Sequence, residues 1–136
     1  MDNLDADFIE KQLDDRDYVI LPDSSDDEFD YLNPCTADLK KIFKLKSNID
    51  IDIGSNKKVR HIGLYSSDII LPIIIGVSAN VIAGVILFYI NRYLKNSDNV
   101  QCKVVFKDNK KGYDNIDFKG SCSDLKEVLQ EMTSDD

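Results

Sequence analysis

One histidine, His61, is the whole imidazole complement of this 136-residue chain. It falls in a stretch that reads as a strand, with no positioned acid or nucleophile beside it, so a structural role is expected for it. No glycine-rich phosphate loop, C-x-x-C or H-E-x-x-H occurs, which removes the common phosphate, redox and zinc signatures. The three cysteines, Cys35, Cys102 and Cys122, are odd in number and widely spaced. They form neither a metal-ligand pattern nor a disulfide framework, and a reducing compartment is the simpler reading. The opening MDNLDADF lacks the positive region and apolar core of a cleavable signal peptide. The acidic stretch DSSDDEFD, residues 23–30, has no glycine where a calcium loop needs its turn. No catalytic residue, cofactor or metal site is expected, and the chain does not read as an enzyme.

Charge is distributed as unevenly as chemistry. The net charge is −8. Up to residue 35 acids dominate, with Lys11 and Arg16 the only basic residues. From residue 37 to 60 the balance turns basic through Lys40, Lys41, Lys44, Lys46, Lys57, Lys58 and Arg60. An acidic tail competes with phosphate for such a strip, which argues against a nucleic-acid partner.

Charge is missing altogether from ILPIIIGVSANVIAGVILFYI, residues 70–90. A run from Ile69 to Ile90 exceeds the roughly 20 residues that cross a hydrocarbon core. The pattern predicts a transmembrane helix over 67–95, capped by Ser67 and Asp68, with Pro72 in its first turn. Tyr89, Arg92, Tyr93 and Lys95 would form the aromatic and basic belt at the membrane interface, and the flanking charges lean to a cytoplasmic C-terminus. A helix buried in a small core would be expected to keep a polar stripe, and this one is apolar all round.

Asn80 sits at the costly centre of that run. Gly76, Asn80 and Gly84 recur every four residues, with Ala79 and Ala83 beside them. Small residues at this spacing let helices approach, and a central amide can bond across to its copy. The reading is a homo-oligomeric seam, with a conducting path as its extension. The plainer alternative is that Asn80 bonds its own backbone and the small residues are ordinary span composition.

The flanks supply the rest of the organisation. Residues 98–133 read as a strand–strand–helix unit: VQCKVVF, the turn DNKKG, YDNIDFKG, then a helix starting at Ser121 or Ser123. A unit of roughly this size seldom folds alone, which asks for a copy of itself or a protein partner. Residues 36–66 read as a basic helix capped by Thr36 plus a hairpin, IDIDI–GSN–KKVRHIGLY. The stripe of Leu39, Ile42 and Phe43, with Lys40, Lys41, Lys44 and Lys46 around it, suits a helix lying on an anionic lipid bilayer or, equally, a solvated face. YVIL, residues 18–21, reads as a further strand, and residues 4–13 as a short amphipathic helix. The acidic residues 1–35 are expected to be partly disordered. Ser24 and Ser25 precede acids in the manner of an acidophilic kinase site. The fold class expected is therefore an α+β membrane protein. It has one transmembrane helix, a small N-terminal α/β region and the C-terminal strand–strand–helix unit.

In layout, LPIIIGVSANVIAGVILFYI followed by VQCKVVF and NIDFKGSCSDLKEVLQEM resembles a loose group of small, mostly uncharacterised bacterial single-span membrane proteins. The resemblance covers roughly the C-terminal half. It implies a membrane component of bacterial conflict or antiphage loci. The function expected is an oligomeric membrane-perturbing or signalling effector. The alternatives are a non-conducting anchor that tethers a partner, or a structural membrane protein of viral origin.

Overall fold

The computed structural model of the chain describes residues 6–14, 16–55, 57–61, 69–108 and 112–134. A period of two sets its architecture. In β1 (Tyr18–Ile20) and the residue after it, Tyr18 and Ile20 point to one core cluster and Val19 and Leu21 to another. The same split recurs at Ile74 and Ile75 and at Val104 and Val105. Successive strand side chains face opposite ways, so a strand covered on both faces must be apolar at every position.

Two β–α–β crossovers build the sheet. The first runs from β1 through α2 (Cys35–Ser47) to β4 (Asp52–Ile53), which pairs parallel to β1. The second runs from β7 (Ile74–Gly76) through α3 (Ala79–Tyr93) to β8 (Asn99–Asp108), again parallel. β1 and β7 are antiparallel neighbours at the centre. The units thus step outward in opposite directions on oppositely directed strands. Right-handed crossovers then place both helices on one face, and α2 and α3 do share one core cluster. β9 (Gly112–Ser121) pairs with β8 along its whole length as a hairpin, and α4 (Cys122–Ser134) packs on α3. The short helix α1 (Ala6–Gln12) covers the other face through Ile9. A separate three-stranded sheet joins β2 (Ser24–Ser25), β3 (Phe29–Leu32) and β5 (Lys58–His61).

The expected transmembrane helix is the main correction. Residues 69–90 divide into β6 (Ile69–Ile70), β7 and most of α3. The β-branched isoleucines favour strand. Pro72, which has no N–H for a ladder, marks the gap between β6 and β7; both strands run along the same edge of β8. Ser78 then caps α3 by accepting from the Val81 N–H at 3.3 Å. The 15-residue helix is about 22 Å long at 1.5 Å per residue, short of a hydrocarbon core of roughly 30 Å. Among the described residues no helix is long and apolar enough to cross a membrane. The α+β membrane fold class, the single-pass placement and the lean to a cytoplasmic C-terminus fall with the span. The expected caps Ser67 and Asp68 lie outside the described residues.

Two smaller corrections concern the N-terminal half. Among the described residues of the expected hairpin, β4 and β5 do not pair with each other: β4 joins the main sheet beside β1, while β5 pairs parallel with β3 in the second sheet. Thr36 does not cap α2. The cap position is Pro34, and Asn33 just before it accepts from the Cys35 N–H at 2.8 Å through its side-chain oxygen. The far end of α2 closes on Asn48 in the left-handed conformation, φ 54°, a common helix stop.

Candidate functional site

In a parallel pair both carboxyl ends lie at one edge of the sheet, and the crevice there is where open α/β sheets hold ligands. Leu21 and Pro22 leave β1 at that edge, and Gly54 and Ser55 leave β4. They line a cleft of about 390 Å³ together with Phe8, Lys11 and Gln12 of α1, and Arg16, Ser25, Asp30 and Lys57. The volume is in the ordinary range for small-molecule pockets, roughly 300–1,000 Å³.

Gly54 is a requirement of this geometry. A β-carbon there would stand 2.8 Å from Gln12 Oε1 and 3.1 Å from both Leu21 Cδ2 and Val19 Cγ2. Its absence lets α1 close over the end of β4. Gln12 in turn holds Arg16: the guanidinium donates from Nε to the Gln12 carbonyl at 2.7 Å and from Nη2 to Gln12 Oε1 at 2.9 Å. The Asp52 carboxylate lies 4.0 Å from Nη1, beyond hydrogen-bond length. Among the described residues, N–H donors on both Nη nitrogens remain for a ligand, on a side chain already fixed in direction.

Asp30 supplies the opposite chemistry. It is 4% exposed, and its two oxygens accept from the hydroxyls of Ser25 and Ser55. Ser55 also accepts from the Lys57 N–H at 3.3 Å, and Lys57 Nζ donates to the Asp26 carbonyl at 2.8 Å. Burial pushes the Asp30 carboxyl upward, but the two hydroxyls and the Lys57 charge outweigh it and hold it below its ordinary value of 3.8. The Asp30 contribution to stability is then fully present above pH 3.8 and is lost as pH falls through the lower folded value. Asp26, lowered chiefly by the Tyr31 hydroxyl and the Phe29 N–H, has the same sign; Asp23, raised by burial, has the opposite one. Acid unfolding followed by circular dichroism should show stability falling below about pH 4. Asp30→Asn should flatten that fall, and an unchanged acid limb would remove Asp30 as its source.

Side-chain bonds also close the acidic stretch around residues 26–31. Asp26 accepts from the N–H groups of Glu28 and Phe29 and from the Tyr31 hydroxyl, which closes the β2–β3 turn. Arg60 lies 4.0 Å over the Phe29 ring.

The residues expected to form the seam and belt are dispersed. Gly76 is in β7, fully enclosed, so it shares no helix face with Asn80 and Gly84. Ala83 is buried in the core, Ala79 and Asn80 are half-buried in the first turn of α3, and Gly84 looks into open space. Tyr89 is buried beside the Cys35 thiol, and burial raises its hydroxyl well above the ordinary value. Arg92, Tyr93 and Lys95 are exposed at the end of α3, with Tyr93 edge-on to Tyr89. On α2, Lys40, Lys41, Lys44 and Lys46 point outward; Lys44 pairs with Asp50 at 3.3 Å and Lys46 lies over the Phe88 ring. The apolar stripe of that helix, Leu39, Ile42 and Phe43, is buried in the protein core and is not presented to lipid.

No cysteine lines the cleft. All three cysteines are free and buried elsewhere. Burial raises each thiol, Cys102 to about 12, so the reactive thiolate is scarce at neutral pH. His61 is exposed on β5. Among the described residues no cluster of three or more metal-ligating side chains occurs. Compared with known protein families, curated proteins and solved structures, the chain matches none.

Proposed function

We propose that this chain is a binding module whose cleft at the ends of β1 and β4 receives a small anionic molecule. The observation that carries the reading is the convergence of Lys11, Arg16 and Lys57 on one cleft in a chain of net charge −8. Lys11 and Arg16 are the two basic residues of the acidic first 35, and both line it. A concave site of locally reversed sign concentrates anions. The fixed Arg16 fork suits an oxyanion, since its donors need no reordering on binding.

Binding without catalysis is favoured by what the cleft is made of. Its hydroxyls, on Ser25 and Ser55, both donate to Asp30, a carboxylate held below its ordinary value and therefore a weak base. The membrane-perturbing reading rested on the expected span, and among the described residues no helix is long and apolar enough to cross a membrane. The role that remains is that of an interaction module, with a protein partner responding to the occupied cleft.

Thermal unfolding tests the site. An anion at about 100 times its Kd stabilises by about 2.7 kcal/mol, several degrees in Tm. Inorganic pyrophosphate should produce such a rise, sodium chloride of equal ionic strength should not, and Arg16→Gln combined with Lys57→Gln should abolish it. An equal rise in the double variant, or none in the natural sequence, would overturn the reading.

A further inference from the structure

A sheet edge presents a row of unpaired N–H and C=O groups, and single-chain proteins blunt such edges with short strands, charges, prolines or bulges. Most edges of this fold are blunted. β2, β4 and β6 have two residues each, and β5 has four, Lys58 and Arg60 among them. β9 is the exception. It has ten residues and no proline, and it pairs with β8 without a bulge from Gly112 to Ser121. Among the described residues its outer edge takes no strand. Asn115, Asp117 and Lys119 are exposed on one face of β9, and Ile116, Phe118 and Gly120 are half-buried on the other.

We infer that β9 pairs antiparallel with β9 of a second copy, joining two main sheets into one. Charge selects this occupant. A two-fold axis normal to the sheet keeps each face on its own side, so it must pass through a residue that meets its own copy. An axis through Asp117 or Lys119 sets like charges opposite each other, which opposes pairing. An axis through Ile116 sets Asp117 against Asn115 and Lys119 against Tyr113. Of these four neighbouring axes, only the one through Phe118 sets Asp117 against Lys119 of the second copy, and symmetry makes that contact twice. Asp117 already has Lys103 of β8 at 3.9 Å on its inner side, so the new contact extends a row of alternating charge across the joined sheet. On the other face Phe118 meets its own copy, and Ile116 comes opposite Gly120. The Phe118 ring leans over Gly120, where a β-carbon would stand 3.0 Å from its Cζ. Ile116 of the second copy therefore lands beside that ring, which itself packs on the core. Aromatic and opposite-charge pairs directly across strands both favour pairing. The contact uses the same patch on both copies, so it closes at two.

Analytical ultracentrifugation of the full chain tests the pairing. The natural sequence should sediment as a dimer that dissociates on dilution and grows no larger at high concentration. Asp117→Lys and Lys119→Asp each create two like-charge contacts and should each raise the dimer Kd about tenfold or more. Mixed one to one, the two variants should recover a heterodimer within about threefold of the natural Kd, because each then meets the opposite charge on the other. Lys107→Asp makes the same charge change on β8, away from the edge, and should leave the Kd within about twofold. Circular dichroism verifies that each variant is folded. If Asp117→Lys, which also loses Lys103, is not, Lys119→Asp against Lys107→Asp decides. A natural chain that stays monomeric at every concentration would overturn the inference. So would a dimer that Lys119→Asp weakens no more than Lys107→Asp does, or two folded variants that fail to recover each other.

Discussion

Gly76→Ala should destabilise the chain by about 1–3 kcal/mol or more, the range for overpacking a filled core, whereas Gly84→Ala should stabilise it by up to about 1 kcal/mol. Gly76 lies directly across the antiparallel pair from Tyr18. A β-carbon there would stand 2.4 and 2.7 Å from two atoms of the Tyr18 ring and 2.9 Å from Ile82 Cδ1. The ring has little room to yield. It is 8% exposed and packs on Phe43 with centroids 5.9 Å apart. Gly84 is half-buried in α3, and a methyl group there would meet nothing within 4 Å, so alanine removes only the backbone freedom glycine brings to a helix. Urea midpoints at constant m-value measure both changes. A transmembrane seam would treat the two glycines alike, each needed for helix approach. Similar midpoints for the two variants would therefore speak against the placement of Gly76 in β7.

The contrast between those glycines shows where the fold is legible in the sequence. Alternation in VQCKVVF and helical spacing in the last described residues match β8, β9 and α4: in β8 the half-buried Gln101 and Lys103 alternate with the buried Val100, Cys102 and Val104, and β9 and α4 each keep exposed positions at their own period. YVIL is legible as a strand although buried on both faces, because it is a short β-branched and aromatic run bounded by polar residues, and the 36–46 helix because its lysines stay exposed opposite its buried stripe. The apolar run misleads because its strand is buried on both faces and its helix lies between α2 and α4. Continuous burial erases the period, and a buried strand followed by a central helix then looks like a span. Punctuation is present within the run: Pro72 at the break, Gly76 at the strand end, Ser78 as cap. Each also fits the first turns of a membrane helix, so none decides the matter.

The cleft is less visible still. Its residues come from α1, both sheets and the loops between, and no linear motif joins Arg16 to Asp30 and Lys57. The one signal within reach is Gly54–Ser55 after IDIDI. Read as a hairpin turn, it puts that strand end at a bend. Paired parallel with β1, it sits at the carboxyl edge beside Leu21. The two basic residues inside the acidic N-terminal region stand out for their rarity, and that rarity is what survives as a site.

The crossover helix α2 gives the other large effect. Phe43→Ala should lower stability by about 3–5 kcal/mol, as truncating a buried aromatic does. Phe43 is 0% exposed, and its ring meets Tyr18 on β1 while Leu39 and Ile42 fill the same cluster. The substitution removes the ring from the junction of the helix and the sheet strand it crosses, leaving a cavity that neighbours held by the sheet close only in part. Native domains have only about 5–15 kcal/mol to lose, so the variant should be largely unfolded at temperatures the natural chain tolerates. Leu45 is the control. It lies two residues on, is 73% exposed, and Leu45→Ala should change stability by less than about 0.5 kcal/mol. The pair separates the two uses of an amphipathic basic helix. A helix whose apolar stripe lay on lipid would leave Phe43 dispensable for folding in the absence of membrane. A loss below about 1 kcal/mol for Phe43→Ala in buffer alone would mean that α2 is not docked on β1, and that its stripe is available to another surface.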